Sequence, residues 1–108
     1  MNRIEIVDVA VQLIRALQPI IRKIRLHDMD EVKQMRSASA SIVRNASEGW
    51  ERSGRDKTNH YRMAAGSARE VRGGLLIAEA SGWIDAAEMA GPMELCDRAL
   101  AMLWRMTH

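Results

Sequence analysis

The sequence predicts an all-α fold, an antiparallel up-down-up-down four-helix bundle, and three observations carry that reading. Four helix-start signals are spread along the chain, each a capping residue with an acid three positions later: Asn2 with Glu5, Asp28 with Glu31, Ser53 with Asp56 and Asp85 with Glu88. Each is followed by an apolar pattern of helical period. The apolar positions are filled by Ala, Leu, Ile and eight Met, with aromatics at 4% and no Phe, a mixture that favours helices over strands. The implied helices run over about 3–26, 29–51, 55–81 and 86–107. Connections this short make consecutive helices antiparallel neighbours. The 108 residues form one domain, 1–108.

The first helix has a seam of Val7, Ala10, Ile14, Leu17, Ile21 and Ile24, and beside it a second stripe of Ile6, Val9, Leu13, Ala16 and Ile20. One seam suffices for packing inside a bundle. Either the second belongs to a wide core-facing stripe, or it leaves apolar surface that another subunit covers, which makes the protein a homo-oligomer. Pro19 removes a hydrogen bond in mid-helix and crowds the carbonyl of Arg15, so a kink is expected there. The polar face turns from acidic (Glu5, Asp8) to basic (Arg22, Arg25), the order that the helix dipole prefers.

The second helix carries Ser41, Asn45, Glu48 and Arg52 at spacing i, i+4, i+7, i+11, one polar stripe, with Ile42, Val43, Ala46 and Trp50 on other faces. An isolated buried carboxylate is heavily penalised, so Glu48 is expected to sit in an internal network with Asn45, Arg52 and Ser67. The alternative is a solvated Glu48 near the helix end. In the third helix Ala64, Ala65, Gly66, Ser67 and Ala68 are small where they meet the small run Ser37–Ser41, which lets the two backbones approach closely. Gly73 and Gly74 each cost about 1 kcal/mol against Ala and call for an offset, most simply a close contact. Gly82 reads as the residue that ends this helix, with Trp83 and Ile84 folding back. In the fourth helix Pro92 after Gly91 divides the segment and moves its proper start toward Pro92, while Met93, Cys96, Leu100 and Leu103 continue the core face.

Composition narrows the function classes. Apolar residues at 47% and charged residues at 28% exclude disorder. There is no signal-peptide core and no apolar run of the ~18 residues that a membrane span needs, so a cytoplasmic protein with no membrane contact is expected. Cys96, the single cysteine, forms no intrachain disulfide and reads as a buried, inert thiol. The net charge of +2 hides an asymmetry: residues 33–72 hold nine Lys or Arg against four acids, a local +5, and residues 73–108 two against five, a local −3. Thirteen of the sixteen cations are Arg, the side chain suited to bidentate phosphate or carboxylate contacts. Surface ion pairs account for such residues equally well.

No Gly-rich phosphate loop, Ser-His-Asp arrangement or pair of catalytic carboxylates is present, so no enzyme and no cofactor is expected. Glu48 and Glu70 read as partners of Arg52 and of nearby arginines. His27 and Glu31 stand at i, i+4 without a convergent third ligand, and His60 and His108 have no ligand spacing, so no metal site is expected.

The segment SIVRNASEG, then Arg52, then AAGSAREV from Ala64 to Val71, resembles the bacterial four-helix-bundle family also called the 23S rRNA intervening-sequence protein family. The resemblance covers roughly Val7 to Ile84 and includes the run QMRSASASI. The NxxEG signature falls on Asn45, Glu48 and Gly49, the following arginine on Arg52, and the GSxxE element on Gly66, Ser67 and Glu70. The chain departs from the pattern at Trp50 and Glu51, where small residues are usual, and at Gly73-Gly74, where bulkier ones are. The resemblance implies a ring-shaped homo-oligomer, a pentamer of four-helix bundles, non-enzymatic and without cofactor. Some relatives are encoded within intervening sequences of large ribosomal RNA genes, and others are accessory proteins of diversity-generating retroelements, beside a reverse transcriptase.

Two functions are therefore expected from different classes. One is an oligomeric adaptor for RNA or DNA, with Arg15, Arg22, Lys23, Arg25, Lys33, Arg36, Arg44, Arg55 and Lys57 as the contact residues and Ser41, Asn45, Glu48, Arg52, Ser67 and Glu70 as a structural polar network. The other is a scaffold that receives a protein partner and touches no nucleic acid.

Overall fold

The computed structural model describes residues 3–108, with side chains from residue 5 onward. Its helices are α1 (Arg3–Ile24), α2 (Met29–Glu51), α3 (Gly54–Ala80) and α4 (Ala86–Thr107). Each packs on the next in sequence and α4 closes back on α1, the neighbour pattern of an up-down-up-down bundle 43 Å long. No strand is present among the described residues.

Local chemistry sets the helix ends. Asp28 is extended, and its Oδ1 accepts the Glu31 N–H at 3.0 Å to start α2. A full capping box starts α4: Asp85 Oδ1 accepts from Glu88 N–H at 2.7 Å, and Glu88 Oε1 accepts from Asp85 N–H at 3.0 Å. At Ser53 the expected side-chain cap does not form. The acid three residues on, Asp56, is instead turned back to Arg52. The pair Asn2 and Glu5 lies outside the described residues on the Asn2 side.

Helix α3 ends in a Schellman motif. The Gly82 N–H donates to Glu79 O at 3.0 Å and the Trp83 N–H to Ala78 O at 2.9 Å. The motif needs a left-handed residue at Gly82, whose φ is +77°. The chain then folds back as expected: Ile84 is buried, and Trp83 stacks on His27 at 5.6 Å between ring centroids.

One expectation about helix continuity is corrected. Pro92 is buried within α4 and does not mark its start, because the capping box at Asp85 has already satisfied the first turn. Helix α1 runs over Arg3–Ile24 with Pro19 inside it. Gln18 Nε2 donates to Ile14 O at 2.8 Å in the same turn.

The core runs the length of the bundle, through Ile6, Leu13, Leu17 and Ile24 of α1, Val32, Met35 and Ile42 of α2, Val71 and Leu75 of α3, and Cys96 and Leu103 of α4. The second stripe of α1 belongs to it: Ile6, Val9, Leu13 and Ile20 are each at most 3% exposed within a single chain. A helix flanked by two neighbours, here α2 and α4, needs one apolar seam for each. The wide-stripe reading therefore accounts for α1, and exposed large apolar side chains lie elsewhere, at residues such as Trp50, Met63, Leu76 and Ile77.

The closest approach is between α2 and α3. A methyl group on Gly49 would stand 2.7 Å from Tyr61 Cε1, and one on Gly74 would meet Glu31 Oε1 at 2.8 Å and Met35 Cε at 2.9 Å. Between these two points the small residues Ala38, Ala64 and Ala68 are buried. Gly73 has open space beside it, so close contact accounts for Gly74 alone.

Candidate functional site

Where α2 and α3 come closest, their polar side chains join in one hydrogen-bonded ladder. Ser67 Oγ donates to Ser41 Oγ at 2.8 Å across the interface. Asn45 Nδ2 donates to Ser41 Oγ at 3.0 Å and to the Ser41 carbonyl at 3.1 Å. With the amide nitrogen so engaged, Asn45 Oδ1 is the acceptor that faces His60 Nδ1 at 3.1 Å. That contact requires the proton on Nδ1. His60 Nε2 then faces Asp56 Oδ1 at 3.9 Å, Asp56 Oδ2 accepts from Arg52 at 3.1 Å, and Arg52 Nη2 donates to Glu48 Oε1 at 2.7 Å.

The ladder grades from interior to solvent. Ser67 is buried and Ser41, Asn45 and His60 are half-buried, whereas Arg52, Asp56 and Glu48 are exposed. The expectation of a buried Glu48 is thus corrected: its side chain is 49% exposed. Glu48 lies in the last turn of α2, and its Arg52 partner is beyond the helix end. The Arg52 hydrogen bond and charge hold the Glu48 carboxyl below the usual carboxylate range, and Glu48 with Asp56 raises the Arg52 guanidinium in return. Exposed ion pairs of this kind contribute little to stability. Glu70 is also corrected: it is exposed on α3, and among the described residues no hydrogen bond or ion pair reaches its carboxylate.

Two members of the ladder, His60 and Asp56, were not expected from the sequence. Their signal was available: they stand one turn apart at i, i+4, and the small residues that bring α3 onto α2 place His60 opposite Asn45. The imidazole nitrogens face an amide oxygen on α2 and a carboxylate on α3, so the arrangement clasps the two helices together.

The nine predicted contact cations fall into two groups. Lys23 is ion-paired with Glu88 across α1 and α4, and the Lys57 ammonium lies 5.4 Å from the Trp50 ring centroid. Arg15, Arg22, Arg25, Lys33, Arg36, Arg44 and Arg55 are exposed and have no ion pair among the described residues. Six of these lie on α1, α2 and the turn between them; Arg36 lines a groove with Ile14, Gln18 and Ile21 of α1. Arg55 stands apart, in the first turn of α3. Asp97 of the acidic last third is paired with Arg72 at 3.1 Å.

Among the described residues no group of three or more His, Cys, Asp or Glu is placed to hold a metal ion. Cys96 is buried and free, and desolvation with the nearby Asp97 pushes its thiol up to about 12. No helix of the described residues is long and apolar enough to cross a membrane.

No curated protein and no solved structure gives a significant match to the chain. The family model described as 23S rRNA-intervening sequence protein matches residues 2–105, nearly the whole length. With that match over four packed helices, this chain belongs to the 23S rRNA-intervening sequence protein family.

Proposed function

We propose that the protein is a non-enzymatic adaptor in the cytoplasm that binds nucleic acid through the α1–α2 layer and does so as a homo-oligomer, a ring of five in the arrangement that the family resemblance implies. The observation that carries this reading is the set of unpaired cations on two adjacent helices and the turn between them: Arg15, Arg22, Arg25, Lys33, Arg36 and Arg44 have no carboxylate within ion-pair distance among the described residues. A single copy offers a handful of weak phosphate contacts, and repetition around a ring turns them into avidity. Trp50, Met63, Leu76 and Ile77, each between 43% and 49% exposed, are the apolar surface available for contact between copies. The resemblance to retroelement accessory proteins makes a reverse transcriptase the protein partner to test.

Titration of RNA and DNA duplexes against salt tests this function. Affinity is expected to fall steeply as salt rises, with a logarithmic slope of about 0.9 per phosphate neutralised on duplex DNA. Arg22→Ala with Arg25→Ala should weaken binding and leave the melting temperature nearly unchanged. Binding indifferent to salt, or none at low salt, removes the nucleic-acid role, and a single-chain mass in solution removes the ring.

The alternative is a scaffold for a protein partner. Exposed Ile77, which lines one groove with the unpaired Glu70, and its exposed neighbour Leu76 favour it, since apolar side chains with a nearby acid make an ordinary protein-docking surface. Recovery of one stoichiometric protein from nuclease-treated extract, lost on Leu76→Glu, would favour the scaffold over the nucleic-acid adaptor.

A further inference from the structure

We infer that the groove between the middle of α3 and the last turns of α4 is a second ligand site, one that takes a nucleoside phosphate unit, with the base stacked on Trp104 and the phosphate held by Arg62 and Arg69. The inference rests on the nucleic-acid reading above and adds to it a site for unpaired bases that the α1–α2 cations do not provide.

The groove has a volume of about 500 Å³, within the range of small-ligand sites. Leu100 and Leu103 give it an apolar floor, and Trp104 and His108 form one wall. Trp104 is 61% exposed, an unusual position for the largest apolar side chain. It already accepts a flat ring, since the His108 imidazole lies against it with 18° between the planes. Arg62 and Arg69, on the opposite wall, are exposed and have no ion pair among the described residues. Spaced i, i+7 on α3, they sit two turns and about 10 Å apart along one face, over the same groove.

The chemistry selects the ligand. Two guanidinium groups call for an anion with several oxygens, and the exposed indole over an apolar floor calls for a flat, weakly polar ring. A nucleoside phosphate carries both parts. A duplex does not, because its bases are stacked on each other and closed to an aromatic side chain, whereas in a single strand every base has a free face.

The test compares three probes on the full chain: a free mononucleotide, a short single-stranded RNA and a duplex of the same length, each followed by tryptophan fluorescence and by calorimetry. Trp104→Leu is expected to weaken single-strand binding about ten-fold, the loss of one base–aromatic stack, and to change duplex binding less than two-fold. Arg62→Gln with Arg69→Gln should weaken the mononucleotide and the single strand together. Mononucleotide binding that depends on Trp104 identifies the free nucleotide as a sufficient ligand; single-strand binding alone identifies the polymer. Unchanged single-strand affinity in Trp104→Leu overturns this site while the α1–α2 reading stands, and failure of every probe on the unaltered protein overturns both.

Discussion

The ring of Tyr61 lies directly against the backbone of Gly49, so close that a β-carbon on the glycine would stand 2.7 Å from Cε1 and 2.9 Å from Cδ1. Tyr61 is buried and cannot retreat without disturbing the α2–α3 contact, and its burial also raises the phenol above its ordinary range. Gly49→Ala gains about 1 kcal/mol of helix propensity but should lose more through overpacking, for a net destabilisation of roughly 1–2 kcal/mol. Gly73→Ala, with nothing within 4 Å of the added carbon, should stabilise the protein by about 0.5–1 kcal/mol. Chemical denaturation of both variants checks the contrast.

The ladder predicts an ordering among its members. Asn45→Leu leaves His60 Nδ1 without its partner in a half-buried place and takes one of two donors from the Ser41 hydroxyl, which keeps Ser67, and should cost about 1–3 kcal/mol. Glu48→Ala removes an exposed partner of an arginine that keeps Asp56, so its melting temperature should stay close to that of the unaltered protein. The carboxyl of Glu48 is held low, so the small contribution of its pair is present above the ordinary carboxylate range and fades as pH falls through the lowered value. A large loss for Glu48→Ala in thermal melts would contradict the exposed geometry.

Leu13 tests the second stripe of α1. It is fully buried within one chain, so Leu13→Ala should destabilise by about 2–5 kcal/mol, while Leu26→Ala, at an 81% exposed position, should change little. Equal, small effects in urea denaturation would place the stripe outside the core.

Cys96 sets a limit at high pH. Its thiol is raised from an ordinary value of 9.0 to about 12, so folding favours the protonated form. The contribution is complete below the unfolded value and is lost as pH rises from about 9 to about 12. Stability should therefore fall across that window, and less so in Cys96→Ala. At pH 8 a thiol reagent should react with the native protein far more slowly than with the unfolded chain.

Helix boundaries were legible because capping is local: Asp28 and Asp85 act on an N–H three residues away, with no long-range contact involved. Ser53 shows the limit, since its partner acid was drawn to Arg52. Within the ladder, Ser41, Asn45 and Ser67 could be read from the small residues that surround them. Periodicity reports which face a side chain shares and not how deeply that face is covered, so Glu48 was in register with Asn45 yet exposed. His60 went unread because its role lies in one hydrogen bond to another helix, which no spacing along its own helix encodes. The breadth of the α1 stripe was plain, but its cause was the number of neighbours, a property of the assembled bundle.

The turn from Ala80 to Ala86 is fixed from both directions, by the Schellman bonds that close α3 and by the reciprocal bonds that open α4. Each set forms between residues at most six apart, so the bend can order itself before distant parts of the chain have met. The α3–α4 hairpin is then one place where refolding can begin. Changing Gly82 to a residue that resists a left-handed backbone should slow refolding more than it speeds unfolding.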